Sequence, residues 1–161
     1  MKLFLSLILC AGLTTQAAET FLVVPNELDT APGNSSLWPF AFEQLGITSR
    51  RYQQVFEASE FGALGPDGGF INRLCFRGTP LVRTIANVQI EFSIVSKDAG
   101  SLSPVFGDNV GGAHQVVYGP ASQQVSTLDA APWDILVLSQ PFFYNPGAGN
   151  LLMDIKTFWG G

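Results

Sequence analysis

The sequence predicts an all-β fold, an antiparallel β-sandwich of jelly-roll or immunoglobulin-like type, and three observations lead to it. Charged residues make up only 13% of the 161-residue chain, too few to coat the outer faces of long helices. Glycine (17), proline (10) and phenylalanine (13) are plentiful, which suits many turns joined by half-buried strands. Six or seven short segments alternate apolar and polar residues, and no amphipathic stretch reaches the length of about twelve residues expected of a helix.

The first seventeen residues read as a secretory leader. Lys2 supplies the positive start, Leu3 to Leu13 form an apolar run too short to span a bilayer, and Thr15-Gln16-Ala17 offers small residues where signal peptidase cuts. Leu9 before Cys10 is too bulky for a lipoprotein box. Cleavage would start the mature chain at Ala18 and leave 144 residues, enough for one β-sandwich domain over 18–161 that buries about two thirds of its unfolded surface. Cys10 departs with the leader, so Cys75 has no disulfide partner in the mature chain. Seven basic residues then face thirteen acidic ones, a net charge near −6, which opposes binding to nucleic acid or anionic membranes.

Along the mature chain, Phe21 to Pro25 reads as a first edge strand stopped by Pro25. Pro32-Gly33-Asn34-Ser35-Ser36 is a loop, and its N-glycosylation pattern is read as turn chemistry. Arg51 to Phe56 favours a strand, and Gly62 to Gly69 a turn cluster. From Phe70 to Arg77, the residues Phe70, Asn72, Leu74 and Phe76 alternate with Ile71, Arg73, Cys75 and Arg77, so Leu74 and Phe76 should point inward. The clearest strand runs from Asn87 to Ser96, with Val88, Ile90, Phe92 and Ile94 on one face and Gln89, Glu91 and Ser93 on the other. After a loop over 97–112, Gln115 to Tyr118 is a short strand ended by Gly119-Pro120. Trp133 to Leu138 is apolar on both faces apart from Asp134, as a strand covered on both sides would be. Asn150 to Phe158 closes the set, with Leu151, Met153 and Ile155 opposed to Leu152, Asp154 and Lys156.

Several stretches, taken in order, carry a family resemblance. They are Leu22-Val23-Val24-Pro25-Asn26, then Arg51-Tyr52-Gln53-Gln54-Val55-Phe56 with Ala58-Ser59 and Phe61, then Phe106-Gly107-Asp108-Asn109-Val110-Gly111, and last Asn145-Pro146 with Gly149-Asn150-Leu151-Leu152-Met153-Asp154. The ordered set resembles the N-terminal domain of secreted bacterial proteins that carry a PEP-CTERM sorting tail. That resemblance implies a protein exported by a Gram-negative bacterium, often one that makes exopolysaccharide, with a β-sandwich of undefined biochemical role. The family ends in a Pro-Glu-Pro motif, a hydrophobic helix and a basic tail, whereas this chain stops at Trp159-Gly160-Gly161. The expectation is therefore either a fragment truncated at its C-terminus or a freely secreted form, and surface sorting is not carried over.

No residue is assigned a catalytic or cofactor-binding role from the sequence. His114 is the only histidine, which leaves no multi-histidine metal site, and no G-x-S-x-G accompanies it; a solvated loop position after Gly111-Gly112-Ala113 is expected. Cys75 has Arg73 and Arg77 two residues away on either side, an arrangement that could activate a thiol, but it reads as a small residue within the sheet. Glu57, Glu60, Asp67 and Glu91 are the acids whose convergence would make a polysaccharide hydrolase. Calcium is the ion an acidic exported sandwich would take, and Asp98, Asp108 and Asn109 flank the loop best placed for it, without the D-x-D-x-D-G spacing of a calcium loop. Among Trp38, Tyr118, Trp133, Tyr144 and Trp159, only Trp38 and Trp159 suggest an exposed platform for sugars. The resulting expectation is a non-enzymatic extracellular or cell-surface module, its partner extracellular polysaccharide or another surface component. The alternatives are a carboxylate-dependent hydrolase and a calcium-dependent carbohydrate-binding module.

Overall fold

Residues 21–26, 49–76, 82–126 and 134–158 are described by a computed structural model, in which β-strands predominate. The strands are β1 (Ser49–Phe56), β2 (Gly69–Phe76), β3 (Val82–Val95), β4 (Gly112–Ser126), β5 (Asp134–Tyr144) and β6 (Asn150–Phe158). They form a four-stranded sheet in the order β1-β6-β3-β4 and a two-stranded sheet β2-β5, with every strand pairing antiparallel. Short 3-10 turns over Ala58–Leu64, Ala99–Ser101, Phe106–Asn109 and Pro146–Ala148 complete the described connections.

Alternation along the strands decides which residues meet. Val88, Ile90 and Phe92 of β3, Val117 of β4 and Leu151, Met153 and Ile155 of β6 join Leu136, Leu138, Phe142 and Tyr144 of β5 in one buried cluster, so the core is shared by the two sheets. Phe92 meets Phe142 edge to face at 5.4 Å, and Phe61 meets Tyr144 at 4.8 Å, arrangements worth about 1 kcal/mol each beyond area burial. Two side chains link the sheets further: Ser139 Oγ donates to the Val117 carbonyl (3.1 Å) and Gln115 Nε2 to the Pro141 carbonyl (3.3 Å). A smaller cluster of Val55, Val95 and Leu152 lies on the opposite face of the four-stranded sheet, covered by Leu102 and Val110.

Burial also sets a titration. Tyr144 is fully buried and donates its hydroxyl to the Gly149 carbonyl at 2.8 Å. Desolvation, with the Glu57 charge adding to it, pushes its pKa up to about 12. The unfolded phenol ionises near 10, so between about 10 and 12 only the folded state keeps the proton. Stability is therefore fully present below pH 10 and lost as pH rises towards 12. Tyr144→Phe should remove that alkaline loss from a pH series of thermal melts, while costing about 1 kcal/mol near neutrality for the missing hydrogen bond; an unchanged alkaline limb would refute the assignment.

Several sequence expectations change. Phe21 to Pro25 is not a strand; Leu22 and Val24 instead pack their side chains against the shared core. In β2 a register shift between Ile71 and Arg73 breaks the alternation, turning Ile71 inward with Leu74 and Phe76 and leaving Phe70 69% exposed. The strand expected to stop at Tyr118 runs on to Ser126, because Gly119 takes a positive φ of 71° and lets the chain continue against β3. The strand covered on both faces is β6, not β5, where Val137 is 61% exposed. Trp38, Trp133, Trp159, Arg77, the leader and the 32–36 loop lie outside the described residues.

Candidate functional site

The outer face of the four-stranded sheet, away from the shared core, carries the densest chemistry among the described residues. Two rungs cross it at right angles to the strands. In the first, Arg51 of β1 is opposite Lys156 of β6, which is opposite Gln89 of β3. In the second, Gln53, Asp154, Glu91 and Val116 stand side by side on β1, β6, β3 and β4. Two carboxylates are thus direct cross-strand neighbours, and both are buried: Glu91 is 4% exposed and Asp154 3%.

Like charges so placed repel unless each is compensated. Arg51 grips Asp154, Nε lying 3.0 Å from both carboxylate oxygens and Nη2 2.5 Å from Oδ2, while Gln53 Nε2 donates to Oδ2 at 2.8 Å. Glu91 accepts hydrogen bonds from Lys156 Nζ and Gln89 Nε2, and His114 Nε2 lies 2.7 Å from its Oε2. Burial alone would raise the Glu91 pKa; the bonds from Lys156, His114 and Gln89 outweigh it and hold the carboxyl below the usual range. The Asp154 hydrogen bond raises the Arg51 pKa against the opposing cost of burial.

The lowered Glu91 pKa has a stability consequence. The unfolded state takes up a proton near the ordinary carboxylate value of about 4.3, before the folded state does. The stabilisation is present above that pH and is lost as pH falls through the lower folded value. Glu91→Gln is expected to flatten the acid limb of a stability–pH curve below about pH 4.5; an acid limb of the same steepness in the variant would disprove the role.

Residues 96–111 form a wall over one half of this face. Asn109 ties it down: its amide donates to Gln53 Oε1 and the Ser103 carbonyl (both 2.9 Å), and its oxygen accepts from the Ser103 N–H (2.8 Å) and Lys97 Nζ (3.1 Å). With all four bonds made, the buried amide is satisfied and aligns the wall with β1. Phe106, at the wall's edge, lies over the Arg51 guanidinium at 5.1 Å. The words that carry the family resemblance thus meet in space, since Arg51 and Gln53, Phe106 and Asn109, and Asp154 belong to three of them.

The sequence candidates separate accordingly. His114 is in β4 rather than in a loop, 44% exposed at its side chain, with Glu91 as its partner. Of the four acids whose convergence a hydrolase would need, only Glu91 is on this face, and its neighbour is Asp154. Glu57 instead holds the Ala99 N–H and the Asn150 amide, Glu60 holds the Asn26 N–H, and Asp67 lies in the turn before β2. Asp108 accepts from Ser103, Asn109 is fully engaged, and Asp98 lies 3.4 Å from the Asn150 amide; among the described residues no three His, Cys, Asp or Glu side chains gather as a metal site would need. Burial pushes the Cys75 thiol pKa up, against the pull of Arg73. Tyr118 bonds Gln123 (2.7 Å).

Asp154 is not among the four acids that stand out in the sequence, yet it is the one beside Glu91. A usable signal was present, because it interrupts an otherwise apolar stretch, as Glu91 interrupts β3, and mid-strand acids on a covered face need cations across the ladder. No described helix is long and apolar enough to cross a membrane. Comparison with protein-family models, with curated proteins and with solved structures returned no match.

Proposed function

We propose that the mature chain is an exported, non-enzymatic β-sandwich module that works outside the cell or at its surface, as a structural or polysaccharide-associated domain. The observation that carries this reading is the state of the one converging carboxylate pair among the described residues. A glycoside hydrolase needs one carboxyl to donate a proton and the other to attack or activate water, which requires a raised pKa on the first and access to both. Here Asp154 is gripped by an arginine, Glu91 is held below its ordinary range by three donors, and both are covered. Such a pair organises a sheet; it does not deliver protons. The leader supports export, and the ordered resemblance to secreted bacterial domains supports an extracellular setting.

Expression of the whole chain in a Gram-negative host tests both halves. The expected product is a periplasmic or secreted protein whose N-terminus is Ala18 and which releases no reducing ends from a panel of polysaccharides. An uncleaved cytosolic product would overturn export. Reducing-end release that disappears in Glu91→Gln would establish the hydrolase instead.

A further inference from the structure

We propose that the open half of the outer face of the four-stranded sheet is a binding platform for a polysaccharide chain, read by Arg51, Lys156, Gln89 and His114 between the rings of Phe106 and Phe158. This rests on the extracellular reading above and names the site and ligand class within it. The buried carboxylates beneath the platform hold its donors in place but leave hydrogen-bonding capacity over. Asp154 engages Nε and Nη2 of Arg51, and Nη1 makes no hydrogen bond with the described residues. Glu91 takes one proton of Lys156 and one ring nitrogen of His114, leaving two ammonium protons and Nδ1. Gln89 donates to Glu91 through Nε2 and keeps its Oε1 as an acceptor.

Arg51, Lys156 and Gln89 are opposite one another on three adjacent strands, so at about 4.8 Å per strand their backbones span about 10 Å. A line of fixed donors with an acceptor among them matches an extended chain of hydroxyls, which both donate and accept. Preorganisation by the buried ion pairs lowers the entropy lost on binding. Phe158 follows Lys156 on the same strand face and is 44% exposed, and Phe106 and Val116 are each 39% exposed, giving the flat apolar borders on which sugar rings stack.

Charge decides between ligand classes. Both fixed cations are already neutralised by buried acids in a chain of net charge −5, so the face lacks the uncompensated positive potential that nucleic acid or an acidic peptide requires. Recognition through hydroxyls should depend little on salt and not at all on calcium.

The test uses the mature protein in affinity electrophoresis through gels containing barley β-glucan, dextran or polygalacturonate, with polyglutamate and single-stranded DNA as charge controls. Retardation is expected by at least one polysaccharide and by neither control, unchanged by a chelator and altered less than about threefold between 50 and 500 mM NaCl. Phe158→Ala and Gln89→Ala, which spare the Arg51–Asp154 and Lys156–Glu91 pairs, should each weaken it about tenfold, whereas Phe70→Ala on the other sheet should not. No retardation by any polysaccharide, loss of retardation in salt, equal retention by polyglutamate or DNA, or variants that bind as well as the parent would each overturn the platform. Export is read separately from the N-terminus of the mature protein, so a failure here leaves that reading standing.

Discussion

Replacing Arg51 with alanine should lower the unfolding free energy by about 3 kcal/mol, the largest effect expected from any one side chain on the polar face. The change strands Asp154, which is 3% exposed and would keep only the 2.8 Å bond from Gln53. A buried carboxylate without its cation must either desolvate or protonate, and both are costly at neutral pH. The stacking of the guanidinium on Phe106 disappears too, loosening the edge of the wall over residues 96–111. Removing both partners together, as in Arg51→Met with Asp154→Leu, should cost less than Arg51→Ala alone, because no charge is left unpaired. Urea unfolding of the three proteins decides the matter. A cost below about 1 kcal/mol for Arg51→Ala, or a double variant that is the least stable of the set, would show that Asp154 finds water or another partner.

Gly119→Ala should be comparably damaging, at about 3 kcal/mol, for a backbone reason. The residue has φ 71°, where an L side chain costs about 1–2 kcal/mol, and an added Cβ would overlap the Val88 carbonyl oxygen of the adjacent strand. Val88 is fully buried within β3, so the ladder has little room to give. The expected readout is a fall in melting temperature of about 10 °C or more, together with faster amide exchange in β4 beyond residue 119. A variant that melts with the parent would mean that β4 does not cross β3 at this point.

What is legible in the chain by itself follows from short-range rules. Period-two alternation located β1, β3 and β6 and named the faces of the last two correctly: Val88, Ile90 and Phe92 against Glu91 and Ser93, Leu151, Met153 and Ile155 against Asp154 and Lys156. Those rules fail where the backbone leaves the ideal pleat. A bulge reversed Phe70 and Ile71, and a glycine carried β4 past a Gly-Pro pair that ordinarily ends a strand. The resemblance words contained Arg51, Gln53, Asn109 and Asp154 but not Glu91, Gln89, Lys156 or His114, and nothing in their spacing said that Arg51 and Asp154, 103 residues apart, would touch.

Composition and alternation by themselves determined an all-β chain, where its clearest strands are and which side of each is apolar, because these depend on the pleat and on the scarcity of charge. Strand order was left to the tertiary structure, because pairing across a sheet is a long-range choice among edges that local sequence does not rank. By setting β6 between β1 and β3, that order brought Asp154 beside Glu91 and surrounded both with Arg51, Lys156 and His114. It thereby turned two scattered acids into one locked pair beneath a row of donors.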